Sequence, residues 1–402
     1  MKNSQRILQE SKKQPTLAID YRPKPISMNQ ITNNFCLILA GGVGSRLWPV
    51  SREKCPKQYL DLIGTGRTLI QQTYDRMSAF FRPENIYIST QESYLPLLHE
   101  QLPQVPRHQI LSEPVRRGTL APVAWATSAI ANICPDACIL VTPSDQEIYD
   151  DKAFEADVLH ALDIASSNEG FIILGVPPTR PETGYGYVQI GDRARRSPNI
   201  YRIKTFTEKP GTEFAQIFCD SGEFLWNTGL FVFGAQYMLS NILKHVPEYR
   251  DDFPELANLG STATTDETPR FYNALPNLSL EYALMEHTEH RYVQRCHFGW
   301  ADIGTWHCLS TDAILTPREN TPVPPADIMV DGRQNVILHS EALFDDASDN
   351  LVRLSSGKMA VISGLHGFVV AEKDGVLMIC PKNDAAAMRR LQTLAHLDAI
   401  EA

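Results

Sequence analysis

The chain has 402 residues, of which 43% are hydrophobic and 21% are charged, and its formal net charge is −10. This composition excludes a disordered protein and allows one large core with a smaller second domain. The acidic balance argues against nucleic acid or a membrane surface as a partner, so any anionic ligand needs a local pocket of cations. No apolar run approaches the roughly 18 residues of a membrane-spanning helix.

The first 34 residues are polar and rich in Lys, Gln, Asn and Pro, with no continuous apolar segment of the kind a secretory signal needs. We predict that residues 1–34 form a mobile N-terminal extension. The eight cysteines form no CxxC pair, which favours reduced thiols and a cytoplasmic location.

A buried-strand pattern over residues 36–39 stops abruptly at a glycine-rich loop, residues 40–44. Glycines let the backbone approach a phosphate and point successive N–H groups at its oxygens. Four cations follow against the single Glu53, namely Arg46, Arg52, Lys54 and Lys57. The segment therefore indicates an anion-binding loop, although a glycine cluster alone is also typical of a surface turn.

Two better-known glycine loops do not fit this segment. A Walker loop ends in Gly-Lys-Ser/Thr, whereas Gly44-Ser45-Arg46 supplies no lysine at that position. A dinucleotide-binding fingerprint needs a third glycine where this chain has Leu47.

Helical and strand patterns alternate after the loop. We predict helices over 68–81, 122–133 and 151–166, and strands over 85–89, 137–142 and 171–176. The alternation is typical of an α/β domain with a mostly parallel sheet. Short strands and turns follow from 187 to about 207.

A proline-rich stretch between 316 and 327 reads as a linker. Beyond it, short strands are predicted at 335–339, 350–354, 359–362, 367–370 and 376–379, and a helix at 384–396 closes the chain. The sequence thus predicts a small C-terminal β domain.

Two aspartates are candidate metal ligands. Asp145 follows an apolar strand, and Asp302 comes 157 positions later (302 minus 145) among glycines and aromatic residues. Paired carboxylates suit Mg²⁺, which prefers hard oxygen ligands, but each aspartate taken alone is also an ordinary turn residue.

Several ordered motifs resemble those of sugar-phosphate nucleotidylyltransferases. The loop matches GG-x-G-[ST]-RLWP-x-SR followed by PKQ[YF]L, in the form typical of mannose-1-phosphate guanylyltransferases. Further matches are PSD at 143–145, FTEKP at 206–210, WNTGLF at 226–231 and GWADIGTW at 299–306. The chain departs from the family at Gln146, where His is usual, and in EPVRRGTLAP at 113–122, where Gly118 replaces Asn and Leu120 resembles an insertion.

The resemblance implies a Rossmann-like α/β nucleotidyltransferase domain over 35–315 and a small C-terminal β domain, left-handed β-helix-like, over 316–402 with its linker. It implies Mg-dependent transfer from GTP to mannose 1-phosphate by direct in-line displacement, giving GDP-mannose and pyrophosphate. It implies catalytic roles for Arg46, Lys57 and Lys209. It implies nucleotide binding by Leu39, Gly41, Gly42, Gly44, Ser45, Arg46, Lys57, Gly118 and Asp145. It implies sugar-phosphate binding by Gly184, Glu208, Lys209 and Asn227, and metal binding by Asp145 and Asp302.

Other readings stay open at this point. The chain could act on another sugar 1-phosphate or another base, or could be a catalytically weak regulatory subunit of the same fold. A homodimer is one possible assembly. The segment of residues 281–286 resembles a family helix near the site, which we interpret as structural. The chain after the transferase core is too short for a phosphomannose isomerase domain to be expected.

Overall fold

The computed structural model describes residues 33–167, 170–194, 197, 199–250, 272–285, 287–309 and 328–395. The predicted N-terminal extension up to residue 32 and the predicted linker between 316 and 327 lie outside the described residues. The boundaries of the two predicted domains stay predictions.

A nine-stranded sheet occupies the centre of the larger part, in the order β3-β2-β1-β4-β9-β6-β10-β8-β7. The strands of this part are β1 Asn34–Leu39, β2 Ile86–Gln91, β3 Ile110–Glu113, β4 Cys138–Pro143, β5 Gln146–Ile148, β6 Phe171–Val176, β7 Gly186–Arg193, β8 Ile200–Glu208, β9 Phe224–Gly234, β10 Arg291–Arg295 and β11 Trp300–Asp302. The helices are α1 Leu69–Ser78, α2 Leu95–Gln101, α3 Leu120–Ile133, α4 Asp151–Ala165, α5 Thr212–Ser221 and α6 Ala235–His245. Short 3₁₀ turns lie at Ser45–Leu47 and Lys57–Tyr59, and a π-helical turn spans Glu281–Met285.

The α/β class is confirmed, but the prediction of a mostly parallel sheet is wrong. Strands β3, β2, β1 and β4 are parallel neighbours, as a Rossmann-like half requires. The long strand β9 then enters between β4 and β6 and pairs antiparallel with both, and with β7 as well. Because β7 and β8 also pair antiparallel, the sheet is mixed.

The C-terminal part consists mainly of β strands and carries two strands more than predicted. Its strands are β12 Ile328–Val330, β13 Val336–Leu338, β14 Glu341–Asp345, β15 Leu351–Arg353, β16 Met359–Ser363, β17 Phe368–Lys373 and β18 Val376–Pro381, followed by helix α7 Ala385–Ala395. Strands β13, β15 and β17 run parallel in one sheet and β14 and β16 in another, so the chain alternates between two sheets. Buried Asn350 donates to Asn335 Oδ1 across successive turns at 2.9 Å. The left-handed sense of this coil stays a prediction.

One hydrophobic core joins the C-terminal sheet to the segment after the glycine loop. Leu47, Trp48 and Trp306 pack in the same cluster as Leu338 and Val369. Trp306 Nε1 also donates to the Trp48 carbonyl at 3.2 Å. The glycine loop is therefore supported on one side by the central sheet and on the other by the C-terminal coil.

Candidate active site

The glycine loop follows β1 and is clamped by polar side chains. Gln58 Nε2 donates to the carbonyls of Ala40 and Gly42, each at 2.8 Å. Ser51 Oγ donates to the Val43 carbonyl at 2.9 Å. Gly44 has φ +68, and a Cβ there would lie 2.7 Å from Lys57 Cγ, so only glycine fits. These three bonds engage carbonyls of the loop and so fix its backbone.

Lys57 lies at the centre of the site, and its residue is only 6% exposed. Its Nζ contacts Asp145 Oδ2 at 2.9 Å and Asp302 Oδ1 at 3.5 Å, and donates to the Ile303 carbonyl at 2.8 Å. Burial alone would lower the pKa of Lys57, but the two carboxylates outweigh burial and raise it. The ammonium group is therefore charged at neutral pH.

A two-stranded ribbon brings the two aspartates together. Strand β5 pairs antiparallel with β11, and Gln146 lies directly opposite Asp302. Asp145 precedes β5, in a turn where Ser144 N donates to the Leu39 carbonyl at 3.0 Å. Asp145 and Asp302 each keep about a quarter of their side chain exposed, 24% and 23%. The predicted pair thus faces one opening beside the loop.

Gln146 occupies the position where the related motif has His. Its Nε2 donates to the Thr228 carbonyl, so the amide connects β5 to the segment that carries Asn227. The substitution keeps a hydrogen bond donor at this position.

The Arg46 guanidinium lies near Asp302, on either side of Gly304. It is exposed in the 3₁₀ turn after the loop. A Cβ on Gly304 would come within 2.9 Å of Arg46 Nη2 and 2.7 Å of Asp302 Oδ2. Glycine at 304 therefore allows the guanidinium and the carboxylate to converge.

The predicted sugar-side residues come together where β8, β7 and β9 are neighbours. Gly186 lies opposite both Glu208 and Asn227 in the sheet. A Cβ on Gly186 would lie 2.8 Å from Glu208 Oε2 and 3.3 Å from Asn227 Cβ. Lys209 forms an ion pair with Glu208. Gly184 lies in the preceding turn, where its N–H donates to Glu182 Oε1 at 2.9 Å.

Tyr185 connects the sugar side to the aspartate ribbon. Asp302 N donates to its hydroxyl at 3.3 Å, and its ring packs edge-on against Trp226 and Trp300. Burial raises the pKa of Tyr185, so the hydroxyl stays neutral.

Glu113 is a buried carboxyl behind the loop. Its Oε1 accepts from Ser89 Oγ at 2.7 Å and its Oε2 from the Tyr272 hydroxyl at 2.9 Å. A Cβ on Gly41 would lie 3.1 Å from Oε1. Burial raises the pKa of Glu113 from 4.5 to about 7.

This raised pKa predicts a pH-dependent cost to stability. The Glu113 carboxyl binds its proton more tightly in the folded state than in the unfolded state. Its contribution to the free energy of unfolding is therefore greatest below pH 4.5 and is lost as pH rises through about 7. We expect Glu113→Gln, which cannot titrate, to remove up to about 3 kcal/mol of this pH-dependent change in the free energy of unfolding. Urea unfolding of both proteins between pH 5 and 8 measures it, and parallel stability curves would contradict the expectation.

Gly118 packs against a distant segment and not against the glycine loop. The three atoms nearest to a Cβ on Gly118 all belong to Leu278, the carbonyl oxygen at 2.1 Å, and its φ is +71. Leu120 N donates to that carbonyl at 3.1 Å, and Leu280 N donates to Thr119 Oγ1 at 2.8 Å. Both departures from the family motif thus serve a brace between residues 118–120 and 278–280.

Gly118→Ala should therefore destabilise the protein through this brace. Gly222→Ala is the matched control, because Gly222 has φ +68 but nothing within 4 Å of its Cβ position. The control should lose about 1–2 kcal/mol from left-handed backbone strain, and Gly118→Ala about 1–3 kcal/mol more. Chemical unfolding of both variants measures the difference, and equal losses would rule out the close contact.

The motifs that form this site lie within a region shared with a known protein family. The profile of the nucleotidyl transferase family matches residues 35–315. The chain belongs to this family.

Individual members extend the match beyond the family profile. The chain is 30% identical over 370 residues to a putative mannose-1-phosphate guanylyltransferase of Vibrio cholerae serotype O1, which covers 90% of this chain and 74% of that protein. It is 31% identical over 361 residues to the alginate biosynthesis protein AlgA of Pseudomonas fluorescens, and the match covers 88% of this chain and 70% of that protein. The crystal structure of a protein described as mannose-1-phosphate geranyltransferase from Thermus thermophilus aligns with a TM-score of 0.74, 27% identity and coverage of 92% and 100%.

Members of the nucleotidyl transferase family act on a nucleoside triphosphate and a sugar phosphate, and they generally use a divalent metal. In the described residues no cluster of three or more His, Cys, Asp or Glu side chains could hold a metal. Asp145 and Asp302 still fit one, because both present hard carboxylate oxygens at one partly exposed site beside Lys57 Nζ. Mg²⁺ uses such a pair together with water and phosphate oxygens in place of a full protein cage.

Two further observations concern the residues that the structure describes. All eight cysteines lie in the described residues, and none forms a disulfide. Among the helices that the structure describes, none has both the length and the apolar character needed to cross a bilayer.

Proposed function

We propose that the chain transfers GMP from GTP to mannose 1-phosphate, forming GDP-mannose and pyrophosphate. The convergence of Asp145 and Asp302 on Lys57, beside the glycine loop, carries this proposal. The names of relatives such as the Vibrio cholerae protein support mannose 1-phosphate and guanine as the specific substrates.

The proposed reaction is one in-line displacement. An oxygen of the sugar 1-phosphate attacks the α-phosphorus of GTP, the new P–O bond forms, and the bond to the β-phosphate oxygen breaks with its electrons going to pyrophosphate. The nucleophile is already an anion, so no general base is needed. The protein's task is to hold two mutually repelling phosphates in line and to neutralise the charge that develops on the leaving group.

The cations divide this task between them. Arg46 and Lys57 would neutralise the triphosphate, and Lys209 would receive the phosphate of the sugar. The loop would bind the nucleotide with Leu39, Gly41, Gly42, Gly44, Ser45, Arg46 and Lys57, with Gly118 and Asp145 completing the nucleotide side. Gly184, Glu208, Lys209 and Asn227 would bind the sugar phosphate, since carboxylate and amide oxygens accept hydrogen bonds from hydroxyls.

Asp145 and Asp302 would hold Mg²⁺, which when bound supplies positive charge to the triphosphate oxygens. Lys57 keeps both carboxylates in place through its two contacts and its bond to the Ile303 carbonyl. The left-handed β-helix-like C-terminal coil that the resemblance implies is also part of this proposal. The cytoplasmic location, which rests on the unpaired cysteine spacing, and a homodimer as one possible assembly belong to it as well.

The reading as a weak regulatory subunit finds no support in the altered motifs. Gly118 is required by its contact with Leu278, and Gln146 keeps a hydrogen bond to Thr228. Both departures are therefore accommodated by packing, and the charged residues of the site are retained.

Pyrophosphate release tests the proposal, with GTP, ATP, UTP and dTTP each paired with mannose, glucose and N-acetylglucosamine 1-phosphates. We expect the highest kcat/KM for GTP with mannose 1-phosphate. Preference for another pair would change the substrates, and no release with any pair would refute the activity. Exchange of labelled pyrophosphate into GTP should require the sugar, because exchange without it would indicate a covalent nucleotidyl-enzyme.

A further inference from the structure

A half-buried arginine lies beside the sugar-side turn and belongs to none of the motifs described above. The Arg180 side chain is 23% exposed, and its Nη2 donates to Glu182 Oε2 at 3.1 Å. Its guanidinium carbon lies 5.3 Å from the centre of the Trp226 ring and 6.0 Å from the centre of the Tyr185 ring. Arg180 therefore contacts one carboxylate and two aromatic rings at the same time.

Glu182, the partner of Arg180, organises the turn that carries Gly184. Its Oε1 accepts from the Gly184 N–H at 2.9 Å, while its Oε2 accepts from Arg180. The backbone of Glu182 is fixed as well, because its N–H donates to the Tyr187 hydroxyl at 3.0 Å and its carbonyl accepts from that hydroxyl at 2.9 Å. Since one carboxylate oxygen bonds the turn and the other bonds the guanidinium, the position of Gly184 depends on Arg180.

The rings that Arg180 contacts belong to a buried aromatic cluster of Tyr185, Trp226 and Trp300. Tyr185 packs edge-on against both tryptophans, with ring centres 5.2 and 4.9 Å away. Trp226 immediately precedes Asn227 on β9, and Trp300 lies two residues before Asp302 on β11. The aromatic cluster thus joins the proposed sugar side to the proposed metal side, and the guanidinium packs against it.

Arginine has the chemistry that this position requires. Its planar guanidinium can stack on aromatic rings while its edge donates to a carboxylate, whereas the ammonium of lysine is a point charge on a flexible stem. The Arg180 and Glu182 side chains are mostly covered, at 23% and 16% exposure, so water and salt screen their contact less than they screen a surface pair.

A second arginine of the same sheet lacks these connections. The guanidinium carbon of exposed Arg202 lies 5.9 Å from the centre of the Tyr292 ring. Arg202 stands six positions before Glu208 on β8, about 20 Å along the strand. It therefore offers a similar cation–π contact at a distance from the sugar-side turn.

We propose that Arg180 is a positioning residue for the hexose 1-phosphate, which holds the Glu182 carboxylate on the Gly184 turn and packs on the aromatic cluster next to Asn227. It acts through these neighbours and not on the reacting atoms. This proposal rests on the proposed function and deepens it, because it identifies what holds the two sugar-binding segments in place relative to each other.

Steady-state kinetics of Arg180→Met and Arg180→Lys test the proposal. We expect Arg180→Met to raise the KM for mannose 1-phosphate about 5–30-fold, as the loss of a partly desolvated cation–π contact implies, and to change the KM for GTP less than about twofold. Arg180→Lys keeps the charge but loses the plane, so it should recover only part of the loss. Arg202→Met is the matched control and should keep both KM values.

A double-mutant cycle with Glu182→Gln tests whether Arg180 acts through Glu182. The glutamine keeps an oxygen for the Gly184 N–H but removes the charge that pairs with Arg180. The double variant should therefore raise the sugar KM by less than the product of the two separate increases. Increases that multiply, complete rescue by Arg180→Lys, or equal rises in the two KM values would overturn the proposal.

Two further measurements separate this proposal from the proposed function. Chemical unfolding of each variant shows that the kinetic constants belong to folded protein, and Glu182→Gln and Arg180→Lys keep the test decisive if Arg180→Met does not fold. An active wild type whose variants keep the sugar KM overturns the positioning role alone. An inactive wild type refutes the proposed function and this proposal with it.

Discussion

Asp302→Asn should lower kcat for pyrophosphate release by about 10²–10³-fold, or roughly 3–4 kcal/mol of transition-state stabilisation. The amide keeps the size of the side chain and its place opposite Gln146 but removes one of the two carboxylates proposed to hold Mg²⁺. We also expect the half-saturating Mg²⁺ concentration to rise. Initial rates across a Mg²⁺ titration measure both effects.

The control for Asp302 is Asp75→Asn, which removes the same charge from an exposed ion pair with Arg67. Exposed pairs contribute little, so this variant should turn over at the wild-type rate. Wild-type turnover by Asp302→Asn at limiting Mg²⁺ would remove Asp302 from the proposed metal site.

Lys57→Met should lower kcat to a similar extent and also reduce stability. The variant leaves Asp145 and Asp302 without their shared cation and the Ile303 carbonyl without its donor. Removing one partner of a buried ion pair typically costs about 3–5 kcal/mol of stability. Because both aspartates are partly exposed to water, we expect Lys57→Met to lose about 3 kcal/mol or less. Turnover and chemical unfolding measure the two losses separately.

Two further variants serve as controls for Lys57→Met. Lys244→Met removes an exposed lysine at the end of α6, so any general effect of net charge appears there. Lys57→Arg keeps the charge, but its larger head group must fit a site that is 6% exposed, so we expect incomplete rescue. A Lys57→Met enzyme with wild-type kcat would exclude the ammonium from the reaction.

Local patterns in the sequence predicted elements well where burial is continuous. The apolar run at Phe171–Val176 forms β6 with both ends as predicted, because a strand covered on both faces leaves an uninterrupted hydrophobic signal. Helix α3 begins at Leu120, two residues before the predicted start at Pro122. Proline is tolerated there because the first turn of a helix has no intrahelical partner for its N–H groups.

Long-range pairing was beyond the sequence patterns. Nothing local in Phe224–Gly234 shows that β9 inserts between β4 and β6 against their direction. Strand β14, Glu341–Asp345, was missed because charged residues stand at both of its ends.

In the candidate site too, local motifs were predicted from the sequence and the long-range pairing that joins them was not. Arg46 and Lys57 were predicted from the glycine-loop segment, and Asp145 and Asp302 from two other motifs. The ribbon of β5 and β11 that unites the aspartates has only three residues in each strand, too few for a periodic signal.

Arg52 Nη2 donates to the Lys373 carbonyl at 2.7 Å, 321 positions further along the chain, and Leu47 and Trp48 rest on the C-terminal strands. A fragment ending before those strands would keep every proposed catalytic side chain but lose the strands on which the segment after the glycine loop packs. None of the proposed catalytic residues lies in the C-terminal coil. Substitutions in the coil would therefore change the affinity for the nucleotide through the loop that packs on it.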